Sequence, residues 1–203
     1  QGRMVFDSRG NPTVEAEIFI NNEYCSKAIA PSGASKGKKE ALEKRDNKKK
    51  FLGSSIDKNI SIINNEIKNS LIGLNIEDQR LIDEKLIELD GTLNKSRLGS
   101  NTTIAVSMAT LRGASKCHKV ALWEYLNASK NRKLPMPEIQ IIGGGLHARG
   151  SIPIQDFMII PNGASDFYTA LHWVFKVYKM AGEKLHEQKK LFGVADEGGY
   201  WPN

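Results

Sequence analysis

Acid groups beside glycines, and polar residues set into apolar runs, mark where chemistry could sit in this 203-residue sequence. Asp196-Glu197-Gly198-Gly199 follows Phe192-Gly193-Val194-Ala195, which reads as a strand. Acid groups at a strand end beside glycines are where barrel enzymes keep their reactive groups. Gln155 and Asp156 interrupt the apolar stretch from Ile152 to Ile160. Desolvating an amide and a carboxylate there is unfavourable unless each finds a partner, which points both residues toward function. Gly144-Gly145-Leu146-His147 sets one histidine after a glycine turn, and a single histidine so placed is more often structural than catalytic. Ser32-Gly33-Ala34-Ser35-Lys36-Gly37 is a loop of hydroxyls and glycines. Its backbone N–H groups could approach a phosphate, and a hydroxyl is a hard ligand suited to Mg²⁺, although most such loops are only connections. Asp7-Ser8-Arg9-Gly10-Asn11-Pro12-Thr13-Val14-Glu15, read alone, is a turn with a satisfied salt bridge.

The elements that must position these groups follow from periodicity. Val14, Ala16, Ile18 and Ile20 alternate with Glu15, Glu17 and Phe19, the period of a strand. Asn21-Asn22 signals a turn, and Tyr24 to Ile29 returns as a second strand. Ile56, Ile60, Ile63 and Ile67 predict one face of a helix over 56–69. Asn75 is the expected cap of a helix running to Leu89, with Asp78 in its first turn and Gly91 past its end. Thr103 to about Lys119 is a third helix, whose Ala105, Ser107, Ala109 and Ala114 permit close packing. Past Leu134-Pro135-Met136-Pro137 the texture changes. Ile139 to Ile142 is strand-like, Gly143-Gly144-Gly145 breaks it, and the run Ile152 to Ile160 suits a strand buried on both faces. Ser165 is the expected cap of a helix with the apolar stripe Phe167, Leu171, Val174, Val177 and Ala181. The expected division is one domain over 1–130 and another over 137–203.

Bulk properties exclude several classes. Apolar residues make up 40% of the chain and charged residues 26%, a globular balance. No apolar run approaches the ~18 residues of a membrane span, so no membrane partner is expected. No apolar signal core follows the first residues. The chain opens on a strand-like run without Met, so the true N-terminus is expected upstream. Lys and Arg exceed Asp and Glu by 29 to 23, largely between Lys36 and Lys50. Glu40, Glu43 and Asp46 break that run and no aromatic interleaves with it. It reads as a solvated face that helps draw in an anion, not as a nucleic-acid surface. Cys25 and Cys117 match no metal or redox spacing, and read as reduced structural thiols of a cytoplasmic protein.

In order, the blocks are D-S-R-G-N-P-T-V-E, S-G-A-S, E-A-L-E-K-R-D, D-Q-R-L-I-D-E-K-L-I-E-L-D-G-T-L-N-K-S-R-L-G-S-N, G-G-L-H-A, Q-D-F-M-I-I-P-N-G-A and D-E-G-G-Y-W-P-N. This succession resembles enolase, phosphopyruvate hydratase, nearly from end to end. The resemblance implies an α+β N-terminal domain, antiparallel strands then helices, followed by the first part of an enolase-type α/β (TIM-like) barrel. A whole barrel takes roughly 250 residues, so most of it is expected beyond this stretch.

The resemblance also implies an activity: dehydration of 2-phosphoglycerate to phosphoenolpyruvate in glycolysis and gluconeogenesis, with two Mg²⁺ ions. Ser35 then resembles the lid-loop serine that ligates the second Mg²⁺. His147 resembles the histidine that closes on the phosphate end. Gln155 and Asp156 line the substrate pocket. Glu197 resembles the acid that helps protonate the departing hydroxide, and Arg9 and Glu15 look structural or part of a homodimer contact. The family's principal Mg²⁺ ligands and base lysine come from later strands, so the isolated chain is expected to be inactive.

Departures cluster near the pocket. Asp156 stands where Glu is usual and Lys36 where Thr is usual. Gln140 and Gly143 replace the usual Asn residues, Leu146 replaces a small or polar residue, and Tyr200-Trp201 is bulkier than Phe-Ala. These raise an alternative, a divergent paralogue acting on a related phosphonate of the carboxyphosphonoenolpyruvate type. A surface-binding role finds no specific support in the residues.

Overall fold

Three antiparallel strands open the chain: β1 (Gly2–Phe6), β2 (Pro12–Ile20) and β3 (Glu23–Ala30), in the order β1-β2-β3. The computed structural model describes residues 1–33, 36–46, 49–127, 129, 132–150 and 152–203. They form two compact units, Gln1–Ala128 and Ser129–Asn203.

The alternation read from β2 decides which face is covered. Val14 and Ala16 are buried, as are Ala28 and Ala30 of β3. Asn21 and Asn22 take φ values of 50° and 66°, the left-handed pair of a two-residue hairpin turn, which asparagine tolerates better than most residues. Beyond that turn the pairing slips: Ile18 faces Ser26 while Phe19 faces Tyr24. Cys25 is therefore the extra residue of a bulge.

The helices then cover the buried face. α1 (Asp57–Ile62) runs through a π turn at Ile63–Ile67 into α2 (Lys68–Leu71). Ile56, Ile63 and Ile67 all reach the core, as their spacing predicts. α3 (Gln79–Asp90) is capped by Asp78, whose carboxylate accepts from Leu81 N at 3.0 Å. Asn75, the expected cap, instead accepts from Glu77 N in the preceding turn. α4 (Ser100–Cys117) begins three residues before the expected Thr103. Its Ala105, Ala109 and Ala114 lie against the sheet at no more than 1% exposure, so small side chains do bring helix and sheet close.

The turn between α3 and α4 is organised by Asp90, which is 1% exposed. It accepts from Thr92 N at 3.0 Å and Leu98 N at 2.7 Å, and also from the Thr92 hydroxyl. Gly91 follows with φ 63°, the left-handed cap that ends α3. Arg97 pairs with Glu66 at 2.5 Å across the same turn. Arg45, within the basic stretch, is also tied internally, to Pro12 O, Ser54 O and Glu43. The short helix α5 (Leu122–Leu126) closes this unit.

The second unit holds β4 (Ile139–Gly143), β5 (Asp156–Ile159), α6 (Phe167–Glu187), β6 (Leu191–Val194) and β7 (Tyr200–Pro202). The strand order is β5-β4-β7-β6. β4 and β7 run parallel, whereas β4–β5 and β6–β7 are antiparallel. The sheet is mixed and does not close into a barrel. The long strand expected from Ile152 is shorter and more open than its apolar run suggested. β5 begins at Asp156, and Phe157, Met158 and Ile160 are exposed. Those side chains stand off the faces of the sheet, and the described residues leave them uncovered. The cap of α6 is Asp166, which accepts from Thr169 N at 2.7 Å, one residue after the expected Ser165. Ala170, Val174 and Gly182 carry its buried face, while Leu171 and Val177 of the expected stripe remain outside.

Candidate active site

Gln140 is the hub of the second unit. Its Nε2 donates to Asp156 Oδ1 and, at 2.9 Å, to Glu197 Oε2. Its Oε1 accepts from Gly199 N at 2.8 Å. One neutral amide thus binds a carboxylate from the start of β5, a carboxylate from the β6–β7 turn, and that turn's own backbone.

Glycines make the space for this amide. A Cβ at Gly143 would lie 2.5 Å from Ala195 Cβ and 3.2 Å from Gln140 Oε1. A Cβ at Gly199 would strike Gln140 Oε1 and lie 2.7 Å from Gly143 N. The nearest obstacle to a side chain at 143 is thus Ala195, with the Gln140 amide next. Gly143 also faces Asp156 in the β4–β5 register.

The turn carrying Glu197 is held from two further sides. Ala195 N donates to Gly199 O at 2.8 Å, and Gly198 N to Ala195 O at 2.9 Å. Gly198 adopts φ 97°, a conformation that suits glycine. From α6, Tyr178 Oη donates to Gly198 O at 2.9 Å. The Tyr178 ring stacks on Tyr200 with centroids 4.3 Å apart and planes 17° apart. Tyr200 in turn occupies the space over Gly182, where any Cβ would collide with its ring and hydroxyl. Burial raises the Tyr200 hydroxyl above its usual pKa, and Tyr178 adds to the shift.

The loop between β4 and β5 folds back on itself. Gly144 N donates to Gln155 O at 2.6 Å and Gly145 N to Ile152 O at 2.8 Å. A Cβ at Gly144 would run into Ile154 O, which explains the glycine there. His147 lies in the 3₁₀ turn Gly145–Ala148, but its side chain is outside the described part of the chain. Gln155 sits immediately before β5 and is exposed. Ser35 falls outside the described residues. The described geometry therefore joins Asp156 and Glu197, with Gln155 next to Asp156 in sequence.

Gln140 was noted in the sequence as a departure from the family and not as a site residue. The signal that marked Gln155 and Asp156, a polar residue inside an apolar run, also applies to Gln140 between Ile139 and Ile141. In the first unit, Glu15 is 5% exposed and pairs with Arg3 at 2.5 Å and Lys27 at 3.2 Å. Asp7 caps its turn by accepting from Arg9 N and Asn11 N, each at 2.9 Å. The Asn11 amide, followed by others in the turn, draws the Asp7 pKa below the usual range.

Chemically, the arrangement offers two carboxylates within reach of one amide at a strand end. One carboxyl can exchange a proton with a bound substrate while the other accepts a hydroxyl hydrogen bond. Among the described residues, no three His, Cys, Asp or Glu side chains come together as a metal site. The described part of the chain does not by itself fit a Mg²⁺ ion, so no step is derived through one.

Comparison with known proteins agrees along the chain. Residues 1–126 match the family model described as the enolase N-terminal domain, and residues 131–203 match the enolase C-terminal TIM barrel domain. A protein named Enolase from Ehrlichia canis (strain Jake) is 44% identical over 202 residues, covering 99% of this chain and 48% of that relative. Enolase 1 of Desulfitobacterium hafniense (strain Y51) is 44% identical, covering 100% of this chain and 46% of its own length. The chain spans about half the length of the curated relatives it matches.

Proposed function

The chain belongs to the enolase family, and on that premise we propose that the protein containing it dehydrates 2-phosphoglycerate to phosphoenolpyruvate. What carries this reading is the family match along both parts of the chain, with Glu197 held at a strand end by the Gln140 amide. The reaction removes a proton from the carbon beside the carboxylate and hydroxide from its neighbour, releasing the enol phosphate and water. This chain's residues serve the second half. Glu197, on a glycine turn and open to solvent, gives the proton that leaves with the hydroxide as water. Asp156 and Gln155 orient the substrate, and His147 approaches its phosphate end.

Mg²⁺ is part of the proposal, with Ser35 as one ligand. Asp156 is one methylene shorter than the usual Glu, which sets its carboxylate back and asks Gln140 to bridge the gap. The curated relatives carry the name enolase, which favours the phosphoglycerate substrate over a phosphonate. A cytoplasmic homodimer completes the reading.

The test is turnover of 2-phosphoglycerate with Mg²⁺ by the protein that contains this chain, read as ultraviolet absorbance of the enol phosphate. Formation of phosphoenolpyruvate that falls in Glu197→Gln supports the proposal. No turnover, or turnover unaffected by Glu197→Gln, defeats it.

A further inference from the structure

Cys25 and Cys117 are distant in sequence and adjacent in the fold. The reason begins with the bulge in β3. Regular alternation would turn Cys25 away from the helix when Ser26 faces it. With Cys25 as the extra bulge residue, both side chains address α4. Ser26 Oγ donates to Ala109 O at 2.7 Å, and Cys25 Sγ donates to Gly113 O at 3.7 Å, one helical turn further on. Cys117 is the next residue on that face, at the four-residue spacing that brings side chains together on a helix. A Cβ at Gly113 would lie 2.5 Å from Ile76 Cδ1 and 3.0 Å from Ser26 Oγ, and its site is in van der Waals reach of Cys25 Sγ at 3.6 Å. Lys116 Nζ donates to Cys25 O at 2.8 Å and fixes the bulge backbone against the end of α4. Cys25 lies near enough to Cys117 to act on the ionisation of its thiol.

We propose that Cys25 and Cys117 form a dithiol site that closes to a disulfide when the protein meets hydrogen peroxide and is reopened by a dithiol reductant, tying β3 to the C-terminal end of α4. Cys117 is exposed and Cys25 is half-buried, so Cys117 meets the oxidant first. Its sulfur attacks one peroxide oxygen and becomes a sulfenic acid, and the other oxygen leaves as water after protonation. The Cys25 sulfur then attacks the sulfenic sulfur, the S–O bond breaks, and a second water departs. Two thiols lose two electrons and two protons, and one peroxide is reduced to two waters. Burial, with Cys25 adding to it, raises the Cys117 pKa above its usual value, which slows its attack on the oxidant.

The test treats the folded 203-residue chain with hydrogen peroxide while dimedone is present to trap any sulfenic acid. The expected product is one intramolecular cross-link between the Cys25 and Cys117 peptides in non-reducing mass mapping, reversed by dithiothreitol. Both free thiols should disappear together and little dimedone adduct should form. In Cys25→Ser, which removes the resolving thiol, the adduct on Cys117 should accumulate instead. Closure in the folded chain should run roughly tenfold or more faster than in urea, because folding supplies the proximity. Equal trapping on Cys117 in the parent and in Cys25→Ser overturns the proposal. So does cross-linking only between chains, or closure no faster than in urea.

Discussion

Replacing Asp90 with alanine removes the acceptor for Thr92 N, Leu98 N and the Thr92 hydroxyl in one step. The site is 1% exposed, so water does not readily replace what is lost. Each stranded N–H costs ~1–3 kcal/mol, and two of them set the expected loss for Asp90→Ala at about 2–6 kcal/mol. Asp90→Asn keeps one oxygen acceptor but turns an NH₂ toward one of the two backbone donors, for a smaller loss of about 1–3 kcal/mol. Acidity separates the contributions of charge and shape. Burial alone would raise the Asp90 pKa, but hydrogen bonds from Thr92 and Leu98 outweigh it and leave the value lowered. A depressed folded-state pKa contributes stability that is complete above the unfolded value of ~3.9 and is lost as pH falls through the folded one. Urea unfolding at neutral pH and in acid measures this. The advantage of the parent over Asp90→Asn should be full at neutral pH and should shrink below about pH 4. An unchanged gap in acid, or an Asp90→Ala loss under ~0.5 kcal/mol, would refute the reasoning.

Gln140→Leu should cost about 1–3 kcal/mol by stranding the buried Gly199 N–H, read by urea unfolding. In the complete enzyme it should lower kcat more than it raises KM. Tyr178→Phe should lose about 0.5–1.5 kcal/mol with its bond to Gly198 O, and amide hydrogen exchange should rise locally in the turn carrying Glu197. The 203-residue chain assayed alone with 2-phosphoglycerate and Mg²⁺ should form no phosphoenolpyruvate. The protein containing it should, and absorbance assays of the two side by side settle the point.

Local rules made much of this legible from residues. Val14 and Ala16 declared the covered face of β2 by alternation, and Asn21-Asn22 declared its turn. The isoleucine spacing marked the buried face of the helix after Ile56. What escaped depended on partners distant in the chain. The bulge at Cys25 has its reason in α4, whose carbonyls at Ala109 and Gly113 receive both neighbouring side chains. β5 reads as buried because Phe157, Met158, Ile159 and Ile160 are apolar, yet burial is set by what packs over the faces of a sheet, and the described residues leave Phe157, Met158 and Ile160 uncovered. Asp156 and Glu197 stood out by composition, while the amide joining them did not. Gln140 gains meaning only when β4, β5 and the β6–β7 turn meet. Ser35 and the His147 side chain lie outside the described residues, so their roles rest on the family resemblance.

The bare Cα at Gly182 under the Tyr200 ring has a consequence for how this family member can diverge. Glycine inside a helix is disfavoured by ~1 kcal/mol relative to alanine, so a neutral drift toward alanine at 182 would be expected. While a ring fills that space, alanine there meets it head-on. The two positions are thus coupled: a side chain at 182 displaces the Tyr200 ring from its stack on Tyr178. A smaller residue at 200 removes that penalty. An ordinary helix-stabilising change is therefore harmful or helpful according to which residue stands eighteen positions away.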